Sequence, residues 1–553
     1  MNNSYQLKLK GHYFQELFRS SGLVKLDQDF LNYLKTQRPD LHTHLLFYRQ
    51  NPKYANEEQI SQLLIEVAQM IEAFISQLFG IEQASLNLQM QTLSHNPIFA
   101  FKAYYVMRLA RRQSLKNIQM SFNELNQIFK EELSSNGLDN HDLELAISQL
   151  GQFYLQAPEK HQIKIEQLVQ WCYLAMNSSE GRDFVKNWQM FKLPKPLNFK
   201  NLVPFRIVPE DPYGRYQGAD LVPREGFDLT DSRMNQRQAM DEVAYCVYCH
   251  KNQGDFCSRG FPVKKNDLKQ GLKINPAGDT LTGCPLEERI SEMHVLKRDG
   301  FGIGALAMVM RDNPMCPVTG HRICNDCMKA CIYQKQDPVN IPQTETRILT
   351  DVLDLPWGVE IYDLLTRWNP LRPEQWLIKP YNGLKVLVMG MGPSGFSLAH
   401  HLLMEGFSVV GMDGLKIEPL ANLDLQQPVY SYQQLKENLS DRLITGFGGV
   451  AEYGITVRWD KNFLKLIYLS LLRRPYFQIF GCVRFGGTLE VEDAWALGFD
   501  HLALAVGAGL PKELNIPNSL APGMRQANDF LMSLQLTGAG KATSLANLQV
   551  RWS

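Results

Sequence analysis

The chain has 553 residues, in which 57 Lys plus Arg balance 57 Asp plus Glu, and 44% of the residues are hydrophobic. Such a length accommodates three or four domains that each bury a core. A net charge of zero supplies no field that would draw the chain to nucleic acid or to anionic lipid, so neither is expected as a partner.

The start, Met1-Asn2-Asn3-Ser4-Tyr5, lacks the basic-then-apolar pattern of a signal peptide. No apolar run approaches the roughly 20 residues that span a bilayer. A cytoplasmic location without membrane contact is expected, and its reducing conditions suit free thiolates.

Residues 1–195 read as almost entirely helical. Asn56 is a good N-cap, with Gln59 three residues on, as in a capping box. Ile60, Leu63, Leu64, Val67, Ile71, Phe74, Ile75 and Leu78 then recur at helical spacing, and Gly80 is placed to end the helix. Its apolar stripe is wide enough to predict packing in a bundle. Further helices are expected over 97–112, 122–133, 139–155 and 163–176. Arg108, Arg111 and Arg112 read as a solvated face, because no aromatic or basic stripe accompanies them. The role of this half is not legible.

Prolines 194, 196, 204, 209, 212 and 223 break any helix, so residues 196–240 read as a linker. Between 241 and 360 lie eight of the ten cysteines. Cys246, Cys249 and Cys257 form one group, Cys284 stands alone, and Cys316, Cys324, Cys327 and Cys331 follow. A disulfide framework is disfavoured without a secretory signal. Spacings of two and three residues let neighbouring thiolates wrap one centre. A four-cysteine zinc site, with His250 or His321 as substitutes, is one outcome. The other is a pair of interleaved iron–sulfur clusters, since CxxC-x7-C and CxxCxxxC each supply three ligands and Cys284 a seventh. Leu286–Arg311 between the groups is expected to be helical, with Glu287, Glu288, Arg289, Glu292 and Lys297 on a wet face.

Residues 361–553 read as an α/β unit. Lys385–Met389 is a short buried strand, followed by Gly390-Met391-Gly392-Pro393-Ser394-Gly395, a helix over 396–405, and a second strand over 407–412 that runs into Asp413. A GxGxxG that follows a strand, opens a helix and meets an acid about 20 residues on is a dinucleotide-binding fingerprint. Gly390 permits the tight turn, Gly392 admits a pyrophosphate to the backbone, and Gly395 allows close helix–strand packing. Pro393 and Ser394 open the helix whose N–H groups would meet the diphosphate, and Asp413 would accept from a ribose. The turn by itself serves FAD and NAD(P) alike. Gly538-Ala539-Gly540-Lys541 fails as a phosphate loop, because Gln535 and Ala542 stand where Gly and Ser or Thr belong.

Several of these runs resemble one family. Gly283-Cys284-Pro285-Leu286, Thr319-Gly320-His321-Arg322-Ile323-Cys324, and Val339-Asn340-Ile341 with Glu345 are similar to the N-terminal domain of the glutamate synthase small subunit; dihydropyrimidine dehydrogenase carries a related domain. The resemblance implies two 4Fe–4S clusters, one on Cys246, Cys249, Cys257 and Cys331, the other on Cys284, Cys324, Cys327 and Glu345. The chain departs from the family in an insertion between Cys257 and Cys284, in a shorter gap between Cys324 and Cys327, and in Cys316, which has no assigned role. Gly446-Phe447-Gly448-Gly449-Val450-Ala451-Glu452-Tyr453-Gly454-Ile455 resembles the glycine-rich loop that passes the flavin. Phe499 to Ala508 resembles the strand ending beside it, which implicates Ala505 and Gly507, and Pro511–Pro517 resembles the exit that follows. These favour FAD over NAD(P) at the glycine turn.

The resemblance spans about residues 240–553 and implies an FAD- and iron–sulfur-dependent oxidoreductase. In it NAD(P)H would reduce FAD, and the electrons would pass through the clusters to a partner protein or domain. No second GxGxxG is present, so the NAD(P)H-binding domain is expected to be missing from a chain cut short, and a homo- or hetero-oligomer is allowed. The expected fold is multidomain: an all-α N-terminal region, an α-helical cluster domain, and an incomplete Rossmann-like FAD domain. The alternative of another class is a non-catalytic electron-transfer or scaffold module with a vestigial flavin site.

Overall fold

The computed structural model describes residues 5–112, 118, 120–138, 141–203, 205–210, 212, 214–218, 232–252, 254–264, 267–320, 324–420, 425–438, 446–453, 460–508, 512–519 and 521–536. His321, Arg322, Ile323, Gly454, Ile455, Pro511 and residues 538–542 lie outside the described residues. The molecule is about half helical with a small parallel sheet.

The helix Glu57–Phe79 forms as its caps dictate. Asn56 accepts the Gln59 N–H at 2.9 Å, the Gln59 side chain accepts the Asn56 N–H at 3.2 Å, and Gly80 ends it in the left-handed conformation at φ 71°. By length and composition this helix reaches what a membrane crossing needs, with 67% of its apolar window buried inside the protein. The expectation that nothing approached that length is thereby corrected: it held only for unbroken apolar runs. The helix packs along Gly302–Asp312, where Gly304 comes so close to the Ala68 carbonyl that a Cβ would lie 2.8 Å from it.

The helices of residues 1–195 divide between two cores. Leu7 to Ile81 share one core with residues from Ile290 to Leu371 and from Val386 to Phe477. A second core, Ile98 to Met190, joins Asn96–Phe101, Phe122–Ser135, Leu143–Gln156 and Gln162–Asn177, and takes in Met240 from the helix Gln236–Tyr245. That last helix starts inside the segment read as a linker, because Asn235 and Gln238 close a capping box. Two hairpins precede the main sheet: β1 (Phe205–Ile207) with β2 (Tyr216–Gly218), and β3 (Pro262–Lys264) with β4 (Asp267–Leu272).

The stretch 286–311 differs from expectation. It holds two helices, Ile290–Arg298 and Gly302–Asp312, and of the five charged residues expected on a wet face only Glu287 is exposed, with Arg289 half-buried. Glu288, Glu292 and Lys297 are 5%, 0% and 2% exposed. Glu292 accepts from Ser61 Oγ at 2.6 Å, and Lys297 pairs with Asp351. Burying a charge without partners is costly, so these side chains stay inside only because distant segments supply them.

In the main sheet β5 (Lys385–Met389), β6 (Ser408–Met412), β7 (Phe477–Phe480) and β8 (His501–Leu504) are all parallel, in the order β7-β6-β5-β8. The connection after β5 runs through the helix Pro393–Met404. The order reverses between β5 and β8, where open α/β sheets bind ligands beyond the strand ends.

Candidate functional site

Cys246 caps the C-terminus of Gln236–Tyr245, Cys249 opens a short turn, and Cys257 lies in the helix Phe256–Arg259. Tyr248 and Asp255 take positive φ of 51° and 55°, which folds the chain back between these thiols. Cys331 comes from 74 residues beyond Cys257 in the chain (331 minus 257). Cys246, Cys249, Cys257 and Cys331 line one cavity, closed by Ile290 and His294 of the facing helix and by Tyr333. Burial pushes the Cys246 thiol up to about 12 and Cys249 to about 11, and the neighbouring thiols add to it. The Tyr248 N–H points at Cys246 Sγ, 3.5 Å away.

A second group forms alongside. The Cys284 N–H donates to the Cys257 carbonyl at 2.8 Å. Gly283 makes the approach possible: at φ 76° its Cβ would lie 2.5 Å from the Gly260 nitrogen. Cys284, Cys324, Cys327 and Glu345 are close enough for their charges to act on one another, together with Glu288. Asn313 Nδ2 donates to Glu288 at 2.9 Å and to Glu345 at 3.4 Å, and Thr319 Oγ1 also donates to Glu345 at 3.4 Å. Burial, then the neighbouring carboxylates, raise both acids, Glu288 to about 7 and Glu345 well above the ordinary range. Cys316 is buried at the start of Cys316–Thr319 and also feels Glu345 and Glu288. Sequence reasoning missed Glu288, whose only signal is its place four residues after Cys284. Cys324 is the exposed member of the set. Among the described residues no three His, Cys, Asp or Glu side chains converge on a point as a single bound ion requires. A cluster spreads its ligands over several irons, so it takes thiols farther apart than one zinc ion does.

The third element is the glycine turn. Gly390 sits at φ 97°, and a Cβ there would lie 2.2 Å from the Ala505 carbonyl. A Cβ on Gly395 would lie 1.8 Å from the Gly390 carbonyl. Both therefore exclude any side chain. Gly392 is different: the nearest atoms to its Cβ position, on Gly448 and Gly449, are 3.8 Å away. The space over Gly392 is open, as a cradle for a pyrophosphate requires. Gly392 is the N-cap of Pro393–Met404, Pro393 opens the first turn beside Ser394, and no side chain caps it. The first N–H groups are thus left for an anion.

Asp413 Oδ2 accepts the Met391 N–H and Oδ1 the Leu415 N–H, each at 2.8 Å. It ties the turn to the end of β6 and retains lone pairs for a ribose hydroxyl. Gly448 donates to the Met391 carbonyl at 3.1 Å, and Gly449, at φ 52°, faces Gly392. Ala505 follows β8 and donates to the Met389 carbonyl at 2.7 Å, and Gly507 lies exposed beyond it. Phe447 is buried between Phe396, 5.8 Å away, and Tyr468, 4.4 Å away. Tyr468 belongs to Asn462–Leu472, the helix that also packs against Cys316–Thr319. One helix therefore joins the second thiol group to the glycine loops.

Parts of the chain are similar to known proteins. Residues 7–80 match the family model described as the RP005 N-terminal alpha-helical domain. The chain is 52% identical over 237 residues to the uncharacterized protein RP006 of Rickettsia prowazekii (strain Madrid E), covering 43% of this chain and 33% of that protein. It is 26% identical over 289 residues to RP005 of the same organism, covering 50% of this chain and 94% of RP005. It is also similar to the glutamate synthase (NADPH) small chain of Mycobacterium tuberculosis (strain ATCC 25618 / H37Rv), 28% identical over 251 residues, 45% of this chain and 42% of that one. The chain thus spans a third of RP006 and less than half of the small chain.

Proposed function

We propose that the chain is an FAD- and iron–sulfur-dependent oxidoreductase of the glutamate synthase small-subunit kind, in which electrons from NAD(P)H pass through FAD and two 4Fe–4S clusters to a partner protein or domain. The observation that carries this reading is the sorting of the cysteines. Seven of them fall into two groups, each drawing on distant parts of the segment and each buried but for Cys324 and the half-buried Cys246 and Cys284, and Glu345 joins the group that is one thiol short. The similarity to a glutamate synthase small chain agrees with it.

Cys246, Cys249, Cys257 and Cys331 would hold one cluster, and Cys284, Cys324, Cys327 and Glu345 the other. Cys316 and Glu288 stand within reach as replacements or as tuning groups. When bound, the flavin accepts two electrons at once and the clusters carry them singly. Around them the protein places and excludes. Gly390 and Gly395 hold the turn tight, Gly392 leaves room for the pyrophosphate, and Asp413 anchors the turn against β6. Ile290, His294 and Tyr333 close the first thiol group from water, and backbone N–H groups directed at sulfur would raise its potential.

Anaerobic purification followed by iron, sulfide and flavin assay tests the reading. About eight irons per chain, with one FAD, is expected. A colourless protein with stoichiometric zinc and no iron would refute it.

A further inference from the structure

Beside the first thiol group stand two polar side chains whose hydrogen bonds find no partner in the polypeptide. His294 and Ser291, three residues apart on the helix Ile290–Arg298, line the cavity formed with Cys246, Cys249, Cys257 and Cys331. They are 0% and 1% exposed. Neither nitrogen of the His294 ring has a hydrogen-bond partner, and neither has Ser291 Oγ. In any protonation state the imidazole carries at least one N–H, and the serine carries one O–H, so two donors are orphaned together. Leaving a buried polar group unpaired costs about 1–3 kcal/mol, and most such groups in folded proteins are paired.

The rest of the lining narrows the choice of partner. Val247, Ile332, Val339 and Ile341 offer no side-chain acceptor. Tyr333 lies flat against Tyr245, with ring centroids 4.3 Å apart. Apart from its hydroxyl, sulfur is the only side-chain acceptor that lines the cavity. A protonated thiol is a weak acceptor. Thiolate and sulfide sulfur are anionic, and hydrogen bonds to an ionised acceptor are roughly twice as strong as neutral ones. The two donors are therefore unsatisfied beside thiols and satisfied beside a cluster.

We propose that His294 and Ser291 donate hydrogen bonds to sulfur of the first cluster and raise its reduction potential, an inference that rests on the reading of this cavity as a cluster site. Reduction adds negative charge to the sulfurs, and a donor directed at them favours the reduced state. His294 is the larger contributor, because its whole ring is enclosed and both its nitrogens lack partners.

The full chain, His294→Leu, His294→Gln and Ser291→Ala, each purified anaerobically, provide the test. Iron content, redox titration followed by electron paramagnetic resonance, and resonance Raman spectra of the oxidised clusters in ordinary and heavy water are measured. All four chains are expected to hold about eight irons. In His294→Leu one midpoint potential should fall by about 59 mV, a tenfold change in the equilibrium of a one-electron couple, while the other stays. His294→Gln keeps an N–H and should fall by less, and Ser291→Ala should shift in the same direction. The deuterium shift of the iron–sulfur stretching bands should shrink in His294→Leu. Full iron with parental potentials and a parental deuterium shift in His294→Leu would overturn the inference and leave the cluster reading standing. Loss of one cluster from His294→Leu and His294→Gln alike would mark the ring as a ligand rather than a donor and overturn it as well. A parent chain without iron would remove both.

Discussion

The thiol region and the glycine turn are built on opposite principles. Around the cysteines the geometry depends on side chains that are present: a Lys297–Asp351 pair, Asn313 bridging two carboxylates, Ser61 on Glu292. At the turn it depends on side chains that are absent, since carbonyls of Ala505 and Gly390 occupy the places where Cβ atoms would be. The first region therefore breaks by deletion and the second by addition. The contrast also separates what holds each fold from what would hold its ligand.

The largest effect is expected at Gly395. A Gly395→Val change forces a carbon to within 1.8 Å of the Gly390 carbonyl. Helix and strand must then part, at a cost of several kcal/mol, on the order of severe overpacking. Loss of soluble, cooperatively melting protein is the expected result, and a variant that melts like the parent would contradict the close-packed turn.

Next comes Cys257→Ser, which deletes a thiol from the first group while its carbonyl still accepts the Cys284 N–H. Iron should fall by about half, from two four-iron centres to one. Unchanged iron content would remove Cys257 from the ligand set, whereas loss of all iron would mean that the two groups are not independent.

Gly392→Val sharpens the comparison within the turn itself. Its Cβ meets nothing nearer than 3.8 Å, so the fold should persist while the branched side chain fills the space over the backbone. Bound FAD should drop at least about tenfold, equivalent to 1.4 kcal/mol or more, with the melting temperature little changed. Retention of stoichiometric FAD would show that the open space does not receive the cofactor.

The smallest expected effect lies in the polar scaffold behind the thiols. Glu72 accepts from Gly304 N–H at 3.0 Å and Ser85 Oγ at 2.8 Å, and burial pushes its carboxyl up to about 7. A raised acid favours the folded state most below its unfolded value near 4.5, and that stability is lost as pH rises through 7. Glu72→Gln keeps an acceptor for Gly304 and offers a donor to Ser85, so it should stabilise the protein at pH 8 by about 1–3 kcal/mol and leave it nearly unchanged at pH 5. Denaturant midpoints at the two pH values measure this. Equal shifts at both would show that Glu72 does not titrate in that range.

Much of this was readable from local pattern. The Asn56–Gln59 cap, the Gly80 stop and the strand–turn–helix of Lys385 to Met404 are each specified within a few residues, and the structure reproduces them. Short-range chemistry of that kind needs no knowledge of the remainder of the chain. The packing roles of Gly390 and Gly395 were legible because only a missing Cβ fits a φ near 97° or a carbonyl 1.8 Å away. Glu288, Glu292 and Lys297 were misread for the complementary reason. A run of charged residues looks solvated until its partners are known, and those partners, Ser61 and Asp351 among them, lie up to 231 residues away.

The amino-acid sequence by itself determined the helices, the turn and the count of thiols, because caps, periodicity and spacing act locally. Only the tertiary structure decided which helices share a core and which thiol meets which. Those outcomes depend on burial, and burial is a property of surfaces brought together from distant parts of the chain.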